Sequence, residues 1–303
     1  MRLHLACVAV LASGGVAAQQ AGPAPASPQP APELPVGSVG GMGDINLFPK
    51  RIVIDGRQRI ATVGLYNKVA VAGEYEIGVD DKAMTPDGRL VELVDADPAL
   101  RARVQTASAM LRWSPRRLTL QGNESQTVRI MARTPPDLPP GEYRSHFMAI
   151  AVPPAEALGN SIDDAVGTGQ GDRAIGVRII PRFGISIPVI VRVGQTTLAV
   201  GLRDLAIVAP PQGGRAVAFT ITRSGTRSAF GDIVVTAAGA KKPVAEIKGI
   251  GVYAEIDSRK VIVPIDPATD PRTFASGAKL TVTYRDDDAE PGQTLARQEF
   301  TVP

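Results

Sequence analysis

Val177-Arg178-Ile179-Ile180-Pro181-Arg182-Phe183-Gly184-Ile185-Ser186-Ile187-Pro188-Val189-Ile190-Val191-Arg192 is the stretch on which the fold turns. Every odd position from Val177 to Val191 is apolar, and the even positions include Arg178, Arg182, Ser186 and Arg192. Successive side chains of a strand point to opposite faces, so the alternation predicts one long strand with a continuous apolar face. Pro181 and Pro188 each remove a ladder donor, which confines such a strand to an edge, a strand start or a bulge. A long apolar strand near an edge invites pairing with another chain.

Upstream, short strand patterns alternate with turn residues. Ile45 to Ile54 is one, broken at Pro49, and Asp55-Gly56 follows as a turn. Ile60 to Tyr66 and Tyr75 to Val79 come next, then the turn Pro86-Asp87-Gly88. Asp97-Pro98 predicts the start of a short helix carrying Leu100, Val104 and Leu111 on one side. Strands resume at Arg117 to Leu120, Thr127 to Ala132 and Tyr143 to Val152. Tyr143, just after Pro139-Pro140-Gly141, suits the tyrosine corner of an immunoglobulin-like sandwich. Downstream, strand patterns cover Val217 to Thr222, Asp232 to Ala237, Val252 to Ile256, Lys260 to Ile265, Lys279 to Tyr284 and Gln298 to Val302. Short strands spaced by Gly, Pro and Asp turns argue for all-β architecture with two immunoglobulin-like sandwiches. A length of 303 residues fits two domains of about 100–150 residues each. Gly194 is the expected junction, between a domain at 45–193 and a second at 195–303.

The N-terminus reads as a secretory signal over residues 1–18. Arg2 is the charged start, Leu3 to Leu11 is mostly apolar, and Val16-Ala17-Ala18 is a small-residue cleavage site. The expected location is therefore the periplasm, with cleavage near Ala18. Residues 19–44 form a Pro/Ala/Gly-rich linker too poor in large apolar residues to build a core. No later segment is long and apolar enough to span a bilayer, so membrane insertion is not expected.

Composition narrows the chemistry. The single cysteine, Cys7, lies inside the signal, so the mature chain forms no disulfide and no thiolate zinc site. Of two histidines, His4 leaves with the signal and His146 stands alone, read here as an incidental strand residue. No metal site, cofactor or catalytic constellation is expected, and the chain is not read as an enzyme. A net charge of +3, with Lys and Arg scattered, and 4% aromatics do not make a nucleic-acid footprint. Pro153 to Ile175 is a long loop; its Gly167, Gly169 and Gly171 lack the strand and helix that a dinucleotide fingerprint needs. Asp286-Asp287-Asp288 reads as a solvated acidic turn.

Residues 45–193 resemble the periplasmic pilus chaperones of chaperone–usher systems. The likeness rests on an ordered set of segments. Phe48-Pro49-Lys50-Arg51-Ile52-Val53-Ile54 is similar to that family's first strand, and Leu65-Tyr66-Asn67 to the end of its second. Ser114-Pro115-Arg116-Arg117-Leu118-Thr119-Leu120 with Gln126-Thr127-Val128-Arg129-Ile130 resembles the segment before the sixth strand. Leu138-Pro139 and Val152-Pro153-Pro154 bracket the sixth strand.

The resemblance implies two immunoglobulin-like domains in a boomerang arrangement. It also implies donor-strand complementation: the strand from Val177 is lent to a pilus or surface-fibre subunit that lacks one of its own. Val177, Ile179, Phe183 and Ile185 are then the inserting side chains. Arg51 matches the family's anchor for the subunit's terminal carboxylate, and Arg192 its interdomain arginine. The anchoring lysine falls at Pro188, and the glutamate on the sixth strand is expected to be replaced by Arg144. An outer-membrane usher is the further partner implied. A second reading, from the Pro/Ala tether, is a secreted or surface-attached structural protein or adhesin with two sandwich domains as spacers. Alternating apolar strands are more often core than ligand surface, and Ile187, Val189 and Val191 are expected in the first domain's core.

Overall fold

The structure is a computed structural model that describes residues 39–40, 44–56, 58–153, 182–211 and 213–303. The signal, nearly all of the Pro/Ala-rich segment, loop residues 154–175, and the expected site residues Val177 and Ile179 lie outside the described residues. Residues 35–303 form one compact unit.

The strands described up to Val193 are β1 (Val39–Gly40), β2 (Ile45–Phe48), β3 (Ile52–Ile54), β4 (Ile60–Asn67), β5 (Gly73–Asp80), β6 (Lys82–Met84), β7 (Leu90–Glu92), β8 (Leu111–Ser114), β9 (Arg117–Leu120), β10 (Ser125–Ala132), β11 (Gly141–Val152) and β12 (Gly184–Val193), with a short α-helix, α1 (Pro98–Arg101), between two 3-10 turns, Leu93–Asp95 and Ser108–Met110, that join β7 to β8. One sheet runs β1-β2-β4-β10-β8 and the facing sheet β3-β12-β11-β5-β9. The chain continues through β13 (Leu198–Val208), β14 (Ala216–Gly225), β15 (Ala229–Ala237), β16 (Ala245–Val252), β17 (Ser258–Pro264), β18 (Lys279–Asp286) and β19 (Thr294–Thr301). These make sheets β13-β14-β17 and β16-β15-β18-β19. The protein is thus all-β, two sandwiches in sequence, with the sheets dividing between Val193 and Leu198.

Period-two burial builds the first core. Val63 and Leu65 of β4, Val128 and Ile130 of β10, Phe147 of β11 and Ile187, Val189 and Val191 of β12 are all buried in it. Each such side chain taken from water contributes about 1.5–3 kcal/mol. The expectation for Ile187, Val189 and Val191 is met. The second core gathers Ile221, Ile233, Val235, Val252, Val282 and Tyr284. Met84 of β6 and Ile190 of β12 join this second core, with Val53 packed against it. β12 therefore feeds one core with its odd face and the other with Ile190, which explains why its even face is not uniformly polar.

Proline and tyrosine do what their chemistry predicts. The segment breaks at Pro49, β2 and β3 joining different sheets, and the Phe48–Pro49 bond is cis. The Tyr143 hydroxyl donates to the Pro139 carbonyl at 3.0 Å, the tyrosine-corner bond.

Three expectations fail locally. The helix after Asp97 is a single turn, although Asp97 does cap it by accepting from the Ala99 amide at 2.9 Å. Leu111 instead starts β8. The Arg144 amide donates to the Gln105 carbonyl at 2.8 Å and the Ala107 amide to the Ser145 hydroxyl at 3.0 Å, so β11 draws this segment out of a helix. Residues 253–256 are a turn rather than strand, closed by the Ile256 amide on the Tyr253 carbonyl at 3.1 Å. β13 is missed in the sequence because Asp204, at φ 57°, sits in a register shift between Arg203 and Ala206 that breaks the alternation.

Candidate functional site

β12 pairs antiparallel with β11 along its whole length, Gly184 opposite Ile150 through Val193 opposite Gly141. Its other side is covered only in part. β3 pairs with it in parallel, and only at Val189, Ile190 and Val191. Among the described residues, Gly184–Pro188 has no strand partner on that side. Phe183, just before the strand, is 44% exposed, and its carbonyl accepts from the Ala151 amide at 2.8 Å. Ile185 is half-buried against the first core. Arg182 is held nearby by Glu76 of β5 at 2.8 Å. Of the four expected inserting side chains, the described pair is thus one open to solvent and one leaning on the protein's own core.

The open lane ends at a cluster of charge. Continuing the β3–β12 register places Arg51 beside Pro188. The bend from Pro49 to Arg51, which carries the chain from one sheet to the other, puts Lys50 and Arg51 at the second sandwich. Both bind Asp287, in the loop after β18. Arg51 Nη2 donates to Asp287 Oδ1 at 2.8 Å and also to the Asp287 carbonyl, and Lys50 Nζ donates to the other carboxylate oxygen. The Arg51 guanidinium lies 4.6 Å from the Phe230 ring centroid, a cation–π contact. Arg51 is well covered, whereas the Lys50 side chain is 35% exposed.

Arg192, near the end of β12, bonds residues of both sandwiches. Its Nε donates to Glu142 Oε2 at 3.2 Å, and its Nη2 to Asp288. Glu142 stands opposite Arg192 in the β11–β12 register and also accepts from Ser228, including the backbone amide at 3.2 Å. Arg227 is 3.5 Å from Asp288. Glu142, two residues before Arg144, is thus the carboxylate on β11 that meets Arg192. The solvated reading of the acidic turn is corrected. Asp286 is buried and accepts from the amides of Asp288 at 2.8 Å and Glu290 at 3.0 Å, which shapes the turn. Asp287 faces Lys50 and Arg51, and Asp288 faces Arg192, Arg227 and, at 3.6 Å, Arg51 Nε. Four cations on one side outweigh the solvation that the acidic run suggested.

Arg144 has a different role. It is buried in the junction and grips Glu255 of the 253–256 turn with both nitrogens, each bond 2.9 Å. Its guanidinium lies 3.7 Å from the Tyr253 ring centroid. Glu255 also accepts from the Met84 amide at 2.8 Å. Buried charges must be paired, and Arg144 and Glu255 pair with each other, while Arg144 Nε makes no hydrogen bond among the described residues. His146 is fully buried next to them, its Nε2 3.4 Å from the Tyr253 hydroxyl. Burial, then the Arg144 and Lys82 charges, push the His146 pKa well below the ordinary histidine value.

A cavity of about 190 Å³ opens between the sandwiches, lined by Arg103, Gln105, Glu142, Arg144, Thr226 and Glu255. Its charged members are already paired: Arg103 with Asp257 at 2.6 Å, Glu142 with Arg192, Arg144 with Glu255. Among the described residues no group of three or more His, Cys, Asp or Glu is placed to hold a metal ion, and no helix is long and apolar enough to cross a membrane.

Fold and site together define a two-sandwich protein with an ion-paired junction and a partly open edge strand that runs into it. Solved structures similar in fold are chaperones of fimbrial systems. The YadV chaperone matches at 14% identity over 85% of this chain and 100% of its own, with a TM-score of 0.42. The E. coli chaperone DraB matches at 14% identity over 86% and 96%, TM-score 0.41. A chaperone–tip adhesion subunit complex of the archaic chaperone–usher Csu pili of Acinetobacter baumannii matches at 11% identity over 86% and 98%, TM-score 0.40. No family model matches the chain, and no curated protein matches it.

The sequence singles out Arg51 and Arg192 as site residues, but not Lys50, Glu142, Glu255, Asp287 and Asp288, which the structure pairs at the junction. A signal existed for some of them: Lys50-Arg51 and Asp286-Asp287-Asp288 are short runs of opposite charge, and such runs are candidates for each other. Nothing local pairs Arg144 with Glu255, 111 residues away.

Proposed function

We propose that this protein is a periplasmic chaperone that binds pilus or other surface-fibre subunits by lending them a strand. The observation that supports the reading is the side of β12 over Gly184–Pro188, which no strand among the described residues pairs. An extended segment of a partner added there gains main-chain hydrogen bonds, and side chains such as Phe183 fill its pockets.

Charge supports one orientation. The lane stops at the Lys50–Arg51 bend. A partner strand parallel to β12 brings its C-terminal carboxylate there, next to two cations. An antiparallel one brings its N-terminal ammonium, which the same cations repel. Parallel addition with the terminal carboxylate at Arg51 is the arrangement this favours, and guanidinium suits carboxylate geometry. Export through the signal at residues 1–18, with the mature chain starting after Ala18, and delivery to an outer-membrane usher belong to the same reading.

The test is co-purification of a fibre subunit from periplasm that expresses both proteins. The wild type is expected to retain the subunit. Phe183→Asp is expected to lose it, because a partner's dry groove does not accept an unpaired charge. Retention of the subunit by Phe183→Asp at the wild-type level overturns the reading. Mass spectrometry of the periplasmic protein is expected to show an N-terminus at Gln19; an intact Met1 overturns the export assignment.

A further inference from the structure

We propose that Lys50 and Arg51 form a two-cation carboxylate site that the chain's own Asp287 closes until a partner's terminal carboxylate takes its place. This rests on the strand-lending reading and adds two things to it: the second cation is Lys50, and the free protein carries its own competitor.

Two cations on adjacent residues converge on Asp287, from the first sandwich to the second, and Arg51 Nε also lies 3.6 Å from Asp288 Oδ1. Pro188, one residue before the first β3–β12 pair of Val189 with Ile52, has no charge to contribute. Arg51 donates at the same time to the Asp287 carbonyl, so the loop presents a side-chain oxygen and a main-chain oxygen to one guanidinium. A strand ending in a carboxylate offers the same kinds of oxygen.

The three aspartates of the turn also differ in accessibility. The Asp288 side chain is 4% exposed and tied to Arg192, which holds Glu142. Asp287 is 12% exposed, and its partner Lys50 is 35% exposed and reachable from solvent. Asp286 keeps the turn folded through its two backbone bonds. Asp287 can therefore leave the site while Asp286 maintains the loop and Asp288 maintains the junction. Exchange of one carboxylate for another keeps both cations paired, so it avoids stranding a partly buried charge.

The probe is acetyl-Val-Thr-Val-Thr, as the free acid and as the C-terminal amide, titrated into the full chain and followed by NMR. Asp287→Asn removes the competitor's charge. It is expected to bind the free acid at least fivefold more tightly than the wild type does, with the amide unchanged. Adding Lys50→Ala to that variant is expected to lower acid binding about fivefold, and adding Arg51→Ala to erase the difference between acid and amide. Equal acid binding by wild type and Asp287→Asn overturns the proposal. So does a gain shared by the amide, or binding of neither peptide at millimolar concentration.

Should Asp287→Asn fail to fold, the wild type still answers. The acid, and not the amide, is expected to shift the side-chain nitrogen signals of Lys50 and Arg51, and unmoved signals overturn the proposal. The strand-lending reading is judged separately by Phe183→Asp, which leaves all three charged residues in place.

Discussion

Arg144 of β11 and Glu255 of the turn before β17 share a bidentate bond, with both Nη–Oε distances at 2.9 Å and both residues at most 3% exposed. A core strand of the first sandwich is thereby bonded to the second. The sandwiches are joined by buried charge as well as by Met84 and Ile190 reaching into the second core. An open edge strand that runs into such a junction is presented at a defined angle to it.

Arg144→Ala is expected to destabilise the protein by about 3–5 kcal/mol, because it leaves Glu255 buried and uncompensated. Arg144→Met with Glu255→Met is expected to recover most of that loss, since apolar side chains of similar volume often replace a buried pair at little cost. Urea unfolding of the two variants checks this. A double variant as unstable as the single one contradicts the account.

His146 makes stability depend on pH in a defined window. Its pKa is depressed in the folded protein, mainly by burial, so the unfolded chain binds the proton more readily. Stability is full above the unfolded histidine pKa of about 6.5 and falls as pH drops below it, until the folded pKa is reached. The slope of this fall is at most about 1.36 kcal/mol per pH unit for the one proton involved. His146→Gln is expected to flatten this part of the profile. Thermal unfolding at a series of pH values is the measurement, and parallel profiles for both proteins count against a titrating His146.

Phe183 and Ile187 are four residues apart on one face and predict opposite outcomes. Phe183 is 44% exposed, so Phe183→Asp is expected to change stability by less than about 0.5 kcal/mol. Ile187 is 1% exposed in the first core, and Ile187→Asp is expected to prevent folding, since even truncating such a side chain costs about 2–5 kcal/mol. Melting temperatures of the purified variants decide this, and a Phe183→Asp protein that unfolds shows that Phe183 belongs to the core.

Gly231 lies at the register shift of β15, where a Cβ would overlap the Arg285 carbonyl oxygen of β18. Gly231→Ala is expected to lose about 1–3 kcal/mol, as overpacking does. Guanidinium unfolding checks it; wild-type stability in Gly231→Ala means the two strands separate more easily than the structure indicates.

The sequence by itself determined the architecture. Alternation of apolar residues put Ile187, Val189 and Val191 in a core, Pro49 broke one strand into two, and Pro139 to Tyr143 marked the tyrosine corner. These signals are legible because strand periodicity, proline geometry and tyrosine capping act within a few residues. The tertiary structure alone decided the rest. Arg144 looks like a substitute for a missing glutamate until β11–β12 pairing sets Glu142 opposite Arg192. The segment from Gln105 to Ala107 follows helical spacing until hydrogen bonds to β11 draw it out, before the single 3-10 turn Ser108–Met110. Asp286-Asp287-Asp288 looks solvated until Lys50, Arg51, Arg192 and Arg227 arrive from elements far away in sequence. A charge pairs with whatever the fold brings within a few ångströms, and Coulomb attraction in a partly buried site carries no memory of chain separation. Apolar burial is written into local periodicity, whereas partners for buried charge are chosen by folding.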